Sequence, residues 1–280
     1  MNNPLENELL IIENKMVSNI CTREPLNSHI KTFLKSPSKR IRSRLPLLFA
    51  KSLGNDISDS QFELLSAIEI IHNASLIHDD IIDESDFRRG EKTISKKFGT
   101  KLGVITGDYL LAIAMKKISN LNSTKILEKI SYTIRQMCIG EINQNFDRFK
   151  IGTIENYIEK SKNKTAYLFE TALVTFAMLD NNNYDLEQLS KFGLNFGIAF
   201  QIKDDLSNFL NIDKTKSAND FNEGIYTAPI IFSKDKKDYM TGIEKTKDLL
   251  NNYLERAEKQ LYNLANNIYT EALKELIKTE

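Results

Sequence analysis

Apolar residues recur every three or four positions along almost the whole chain. Over residues 59–78, Phe62, Leu65, Ile68 and Ile71, then Ser75 and Leu76, keep that spacing, which predicts a helix. The stretch from Leu102 to Ile118 is apolar on most sides and carries small residues, the pattern of a central helix. Residues 124–146, 165–179 and 186–210 also read as long helices. The 245–278 tail is amphipathic, with Leu249, Leu250, Tyr253, Leu254, Leu261, Leu264 and Ile268 set against Glu and Lys. Breaks fall at Ser36-Pro37-Ser38, Gly54-Asn55, Arg89-Gly90, Gly99 to Gly103, Asn120 to Ser123, Lys150 to Gly152, Asp180 to Asn183 and Lys234 to Asp238. None is a long flexible linker, and no composition shift marks a border. The expectation is a single all-α domain over residues 1–280, a bundle of roughly ten or more helices.

Composition narrows this further. Only 11 Gly and 5 Pro punctuate 280 residues, far too few turn formers for a β-sandwich or barrel. Lys and Arg number 38, Asp and Glu also 38, so the balance is zero. A protein that coats nucleic acid would show a basic excess, so no nucleic-acid partner is expected. Cys21 and Cys138 have no metal-binding spacing and cannot form a disulfide framework, which points to a reducing compartment. The N-terminus has no basic start followed by a long apolar run. The longest apolar stretches fall short of the roughly 18 residues a bilayer span needs. The expected location is cytoplasmic.

Three charged clusters interrupt this helical background. The first runs Asp79-Asp80-Ile81-Ile82-Asp83-Glu84-Ser85-Asp86-Phe87-Arg88-Arg89-Gly90. On a helix, Asp79 and Asp83 share a face about 6 Å apart. Carboxylates crowded at a helix end repel one another unless cations neutralise them. Such hard oxygens suit Mg²⁺, which is commonly bound by one or two carboxylates plus substrate phosphates. Two adjacent arginines then offer forked donors for phosphate oxygens. A merely solvated acidic helix end is the competing reading. The second cluster, Phe200-Gln201-Ile202-Lys203-Asp204-Asp205-Leu206-Ser207-Asn208, lies on another apolar helix, where a bare Asp pair is often only surface. The third, Ser38-Lys39-Arg40-Ile41-Arg42, places Lys39 and Arg42 three apart on one face near a helix start, which favours anions but also describes an ordinary solvated charge run.

Taken together, these elements resemble the all-trans, head-to-tail polyprenyl diphosphate synthases, closest to the long-chain octaprenyl- and heptaprenyl-type bacterial members. The resemblance covers residues from about 36 to 230. IHNASLIHDDIIDESDFRRG (71–90) is similar to that family's first aspartate-rich motif, and KRIR to its isopentenyl diphosphate site. Thr106-Gly107-Asp108, Gly140-Glu141 with Gln144, Lys164-Thr165-Ala166, Phe200-Gln201 and Glu223-Gly224 with Pro229 follow in the family's order. The resemblance implies an isoprenoid-synthase bundle around a central cavity. It implies that Asp79 and Asp83, with Asp204 across that cavity, bind two or three Mg²⁺ on the allylic diphosphate. Arg88, Lys164, Thr165 and Gln201 would serve the same leaving group. Lys39, Arg42, His72 and Arg89 would hold isopentenyl diphosphate. A core histidine is the competing role for His72. A homodimer and transient membrane contact at product release also follow from the resemblance.

The chain departs from the family pattern at several places. Ser38 replaces the usual Gly before KRxR and Ser43 the usual Pro after it. Asn208 stands where the second motif normally has a third aspartate, and Ile225 where a lysine is frequent. Lys214 or Lys216 is a candidate replacement for that lysine. Ala74 and Ser75, five and four residues before Asp79, are small, and no aromatic occurs between Phe62 and Phe87. Ala74 would lie about 7.5 Å below Asp79 on the helix. The implied cavity floor is deep and the implied product long, of about six to nine isoprene units. Geranylgeranyl or farnesyl diphosphate synthesis, a non-catalytic partner subunit and a terpene cyclase on the same fold are the alternatives. Intact KRIR and His72 elements argue against the cyclase.

Overall fold

The computed structural model describes residues 4–180, 184–210, 224–233 and 239–279. The expected breaks at 181–183 and 234–238, together with Lys214, Lys216 and Glu223, lie outside the described residues. The fold is all-α. Among the described residues the sole strands are a two-residue hairpin pair, β1 (Phe87–Arg88) and β2 (Glu91–Lys92). The chain divides into two compact units, one of residues 1–127 and 178–181, the other of 128–177 and 182–280.

The first unit contains α1 (Glu6–Val17), α2 (Leu26–Lys35), α3 (Ile41–Ser52), α4 (Asp59–Ile82), α5 (Ile94–Phe98) and α6 (Thr100–Ser119). Helix α4 organises it. Ser58 starts α4 with a capping box: its hydroxyl accepts from Gln61 N–H, and the Gln61 side chain accepts from Ser58 N–H at 2.9 Å. Leu64, Leu65, Ala67, Ile68, Ile70 and Ile71 are fully or almost fully buried. Each such large aliphatic side chain contributes about 2 kcal/mol on burial. Helix α6 packs along α4, and the space for it is made by Gly107, where a Cβ atom would collide with the His78 imidazole. Helix α6 is not buried all round, because Leu102, Val104 and Ile105 stay exposed, Ile105 at 59%. Gly103 is no break either. Only Gly99, at φ 91°, separates α5 from α6.

The second unit takes up α7 (Thr124–Phe146) from Glu128 onward. It continues through α8 (Ile154–Ser161), a π turn (Lys162–Ala166), α9 (Tyr167–Met178), α10 (Leu186–Leu210), α11 (Ala228–Phe232), α12 (Tyr239–Glu258) and α13 (Ile268–Thr279). Its core gathers Tyr157, Ala166, Ile198, Ile202 and Ala228. Phe192, Phe196 and Phe200 stack along one side of α10, and Phe169 of α9 meets Phe196 edge-on. The 245–278 tail spans the end of α12 and then α13. Asn267 caps the second, its side-chain oxygen accepting from the N–H of Tyr269 and Thr270.

Candidate active site

Each unit carries its own set of the residues singled out in the sequence. In the first unit they cluster where α4 ends. Asp79 lies in the last turn of α4, and Asp83 caps it, with Asp83 N–H bonded to Asp79 O at 2.9 Å. The two carboxylates therefore stand one helical turn apart, as their spacing implies. Among the described residues no three His, Cys, Asp or Glu side chains gather tightly enough to hold an ion by themselves. Two hard carboxylates that need phosphate oxygens to complete a shell are a donor set that fits Mg²⁺.

The arginine pair rides on the hairpin that follows. Arg89 and Gly90 both have positive φ, 51° and 83°, as a two-residue turn of the I′ kind requires. Arg88 Nε donates to Asp80 Oδ1 at 2.6 Å, and Asp80 is only 3% exposed. The middle aspartate is thus the arginine's anchor. Arg89 Nη1 donates to Ser36 Oγ at 2.7 Å, tying the hairpin to the segment before α3.

Lys39 and Arg42 do not share a helical face. Helix α3 begins at Ile41, so Arg42 sits in its first turn and Lys39 precedes it. The cause is Arg40, which takes a left-handed backbone (φ 48°) and turns inward. Its guanidinium donates to Leu34 O at 2.6 Å and to the Met16 sulfur at 3.2 Å. Arg40 is a structural rivet joining α1, α2 and α3. Burial lowers the Arg42 pKa to about 10, with Glu69 opposing the shift. His72 is held neutral. Burial pushes its pKa well below the usual imidazole value, and the charges of Arg42, Arg89, Arg88 and Arg40 push it further. A neutral imidazole among four guanidinium groups is an environment that favours an anion. Ala74 is buried, and Ser75 is half-buried with its hydroxyl donating to His72 O at 2.8 Å.

In the second unit the site residues lie on α10, the π turn and their neighbours. A Cβ at Gly197 would stand 2.5 Å from Ala166 Cα, so the backbones of α10 and the π turn pack directly against each other. One turn further along α10, Gln201 meets Thr165, whose hydroxyl donates to Gln201 Oε1 at 2.6 Å. A π turn inserts an extra residue into a helix and frequently marks a functional site. Lys164, inside it, has its Nζ 2.6 Å from Glu141 Oε2, and Glu141 also accepts from Gln144 at 3.2 Å. Asp204 is exposed, as is Asn208.

Asp205 differs from its neighbour. It accepts from the Tyr157 hydroxyl at 2.6 Å and from Gln201 Nε2 at 2.9 Å. Burial raises its pKa to about 6; the two hydrogen bonds and Lys160 work against the rise. Tyr157 and Glu141 were not assigned a partner from the sequence. Their partners lie 48 and 23 residues away in the chain, and no local spacing announces such pairs.

The fold and these charged sets define a helical protein equipped for diphosphate chemistry. Residues 23–270 match the polyprenyl synthetase family. A prenyl transferase of Cyanophora paradoxa is 34% identical over 98% of this chain and 95% of its own length. Heptaprenyl diphosphate synthase of Staphylococcus aureus superposes with a TM-score of 0.89 at 26% identity, covering 100% of this chain and 98% of that one. A polyprenyl synthase of Caulobacter crescentus, solved with calcium and isoprenyl diphosphate, gives 0.87 at 26% identity over 98% and 94%. The chain belongs to the polyprenyl synthetase family. It is a prenyltransferase, a trans-polyprenyl diphosphate synthase.

Proposed function

We propose that the chain condenses isopentenyl diphosphate with an allylic diphosphate and releases a long-chain polyprenyl diphosphate. The observation that carries this reading is the end of α4. Asp79 and Asp83 stand one turn apart, and the hairpin beside them presents Arg88 anchored on Asp80 at 2.6 Å.

Family membership and the calcium-bound Caulobacter relative support use of a divalent metal. Asp79 and Asp83 would hold Mg²⁺, with Asp204 as a further ligand, for two or three ions in all. When bound, Mg²⁺ supplies charge neutralisation on the diphosphate as the allylic C–O bond ionises. The chain's own residues do the rest. Arg88, Lys164 and Gln201 donate to the leaving pyrophosphate, where charge develops. Thr165 orients Gln201. Lys39, Arg42 and Arg89 bind the diphosphate of isopentenyl diphosphate, and neutral His72 adds an N–H donor without a charge. The isopentenyl double bond attacks the allylic carbon, and a proton passes to the departing pyrophosphate. Holding the two reactants in register supplies much of the rate.

Ala74 and Ser75 leave the path beside α4 unobstructed by an aromatic, which supports a long product. The exposed Leu102, Val104 and Ile105 on α6 support a homodimer formed through that helix. Among the described residues no helix is long and apolar enough to cross a membrane. The cysteine usage supports a cytoplasmic location, with membrane contact only at product release. The test is product analysis of the purified chain with farnesyl diphosphate, labelled isopentenyl diphosphate and Mg²⁺. A ladder ending at a long polyprenyl diphosphate is expected. No incorporation by the folded protein, across several allylic starters, would instead make it a partner subunit.

A further inference from the structure

Four side chains of the second unit form one directed chain of hydrogen bonds, and the direction of every hydrogen in it can be read. Tyr157, on α8, donates its hydroxyl hydrogen to Asp205 Oδ2 at 2.6 Å. Burial and the nearby Asp205 raise the Tyr157 pKa well above its usual value, so this hydroxyl keeps its proton and acts as a donor. Asp205, on α10, offers its other oxygen, Oδ1, to Gln201 Nε2 at 2.9 Å. A carboxylate only accepts, so Gln201 must turn its nitrogen towards Asp205. Its oxygen then points the other way, and there it accepts the Thr165 hydroxyl hydrogen at 2.6 Å.

This sets what each group can offer to a diphosphate. Thr165 has spent its hydrogen on Gln201 and presents lone pairs. The Gln201 nitrogen carries two hydrogens, of which Asp205 takes one. The second is a donor whose direction is fixed by the anchored amide plane. Without the anchor, the amide could turn over and present its oxygen to an anion, which is repulsive.

We infer that Tyr157 is a positioning residue that acts through Asp205 to lock the Gln201 carboxamide with its nitrogen available to the allylic diphosphate. The inference rests on the assignment of Gln201 to that substrate. It extends the assignment to a tyrosine that itself touches no reacting atom. Asp205 is thereby separated in role from Asp204: it holds protein side chains, and its exposed neighbour serves the metal.

The test is a double-variant cycle on the full chain with farnesyl diphosphate, isopentenyl diphosphate and Mg²⁺. Tyr157→Phe keeps the ring packed in its apolar cluster and removes only the hydroxyl. It is expected to lower kcat/KM for farnesyl diphosphate roughly tenfold, the scale of one mispositioned hydrogen bond to a charged group, while KM for isopentenyl diphosphate stays unchanged. Gln201→Ala is expected to lose at least as much. The double variant should be no worse than Gln201→Ala alone. A purely structural tyrosine would not give that substrate-selective, non-additive pattern. Losses that multiply in the double variant, or a Tyr157→Phe protein with wild-type kinetics, would overturn the inference while leaving Gln201 in its role. A Gln201→Ala protein with wild-type kinetics would remove the Gln201 assignment and the inference with it. Should Tyr157→Phe melt below the assay temperature, Asp205→Leu takes its place. It keeps much of the volume but removes both acceptor oxygens, so nothing holds the Gln201 nitrogen in place. The same loss confined to farnesyl diphosphate supports the inference, and an equal loss for both substrates overturns it.

Discussion

Arg88 Nε lies 2.6 Å from Asp80 Oδ1, so the second aspartate of the first motif serves the arginine that follows it. Asp80 is almost wholly buried, and its removal leaves Arg88 without its anchor. Asp80→Ala is expected to lower kcat/KM for the allylic diphosphate by one to two orders of magnitude, roughly, with the Mg²⁺ dependence retained. Steady-state kinetics across an Mg²⁺ titration measure both. A Mg²⁺ midpoint raised well above the wild-type value would place Asp80 among the metal ligands instead.

Asp79→Ala is expected to abolish turnover, by about a thousandfold or more, with the melting temperature little changed. The carboxylate lies at the end of α4 and away from its packed middle. Single-turnover assays beside a thermal melt check both halves. Normal elongation by this variant would sink the metal assignment.

His72 makes stability depend on pH in a stated direction. Its folded pKa lies well below that of a free imidazole, near 6.5, so between those two values the unfolded chain holds a proton that the folded chain does not. The contribution is fully present above pH 6.5 and declines as pH falls, by up to about 1.4 kcal/mol per pH unit. His72→Gln removes this dependence. Urea unfolding at pH 7 and pH 5.5 should show wild type losing more stability than the variant. Equal losses would mean that His72 does not carry the buried proton deficit.

Much of this architecture was legible in the chain, and the exceptions have physical causes. Helices α7 and α10 fall on the residues their apolar spacing indicates, because long amphipathic segments suppress local ambiguity. The Asp79–Asp83 relation also followed from helical spacing. Lys39 was misplaced because a helix start depends on its cap. At that cap, Arg40 is drawn inward by Leu34 and Met16, partners that periodicity does not reveal. The amphipathic pattern of the tail does not mark the break between its two helices, because Asn267 acts as a cap only once its side chain turns back on the helix. Tyr157 and Asp205 pair across 48 residues, and such pairs exist only after packing.

Product length offers a fourth test. Ala74 is buried on α4, facing inward. Ala74→Phe is expected to shorten the product ladder by several isoprene units and to cost about 1–3 kcal/mol in stability from overpacking. Chromatography of the products by chain length, beside a thermal melt, separates the two effects. An unchanged ladder would refute the floor argument.

Gly197→Ala tests the packing that places Gln201. The added methyl would stand 2.5 Å from Ala166 Cα. The better helix propensity of alanine recovers at most about 1 kcal/mol, and the clash is expected to outweigh it, for a net loss of about 1–2 kcal/mol by chemical denaturation. A more stable variant would show that α10 can slide on the π turn.

That close contact also governs how this segment can change over generations. Gly193 lies against Glu170, Gly197 against Ala166, and Gln201 bonds Thr165, each four residues further along α10. One inserted or deleted residue between them would rotate everything beyond it by about 100°. The glycines would then face away from the contact, and Gln201 would leave Thr165. Exposed positions such as Lys191 are open to substitution, whereas the number of residues from 193 to 201 is not open to drift. A family that keeps this fold at 26% identity can vary its letters here far more readily than its count.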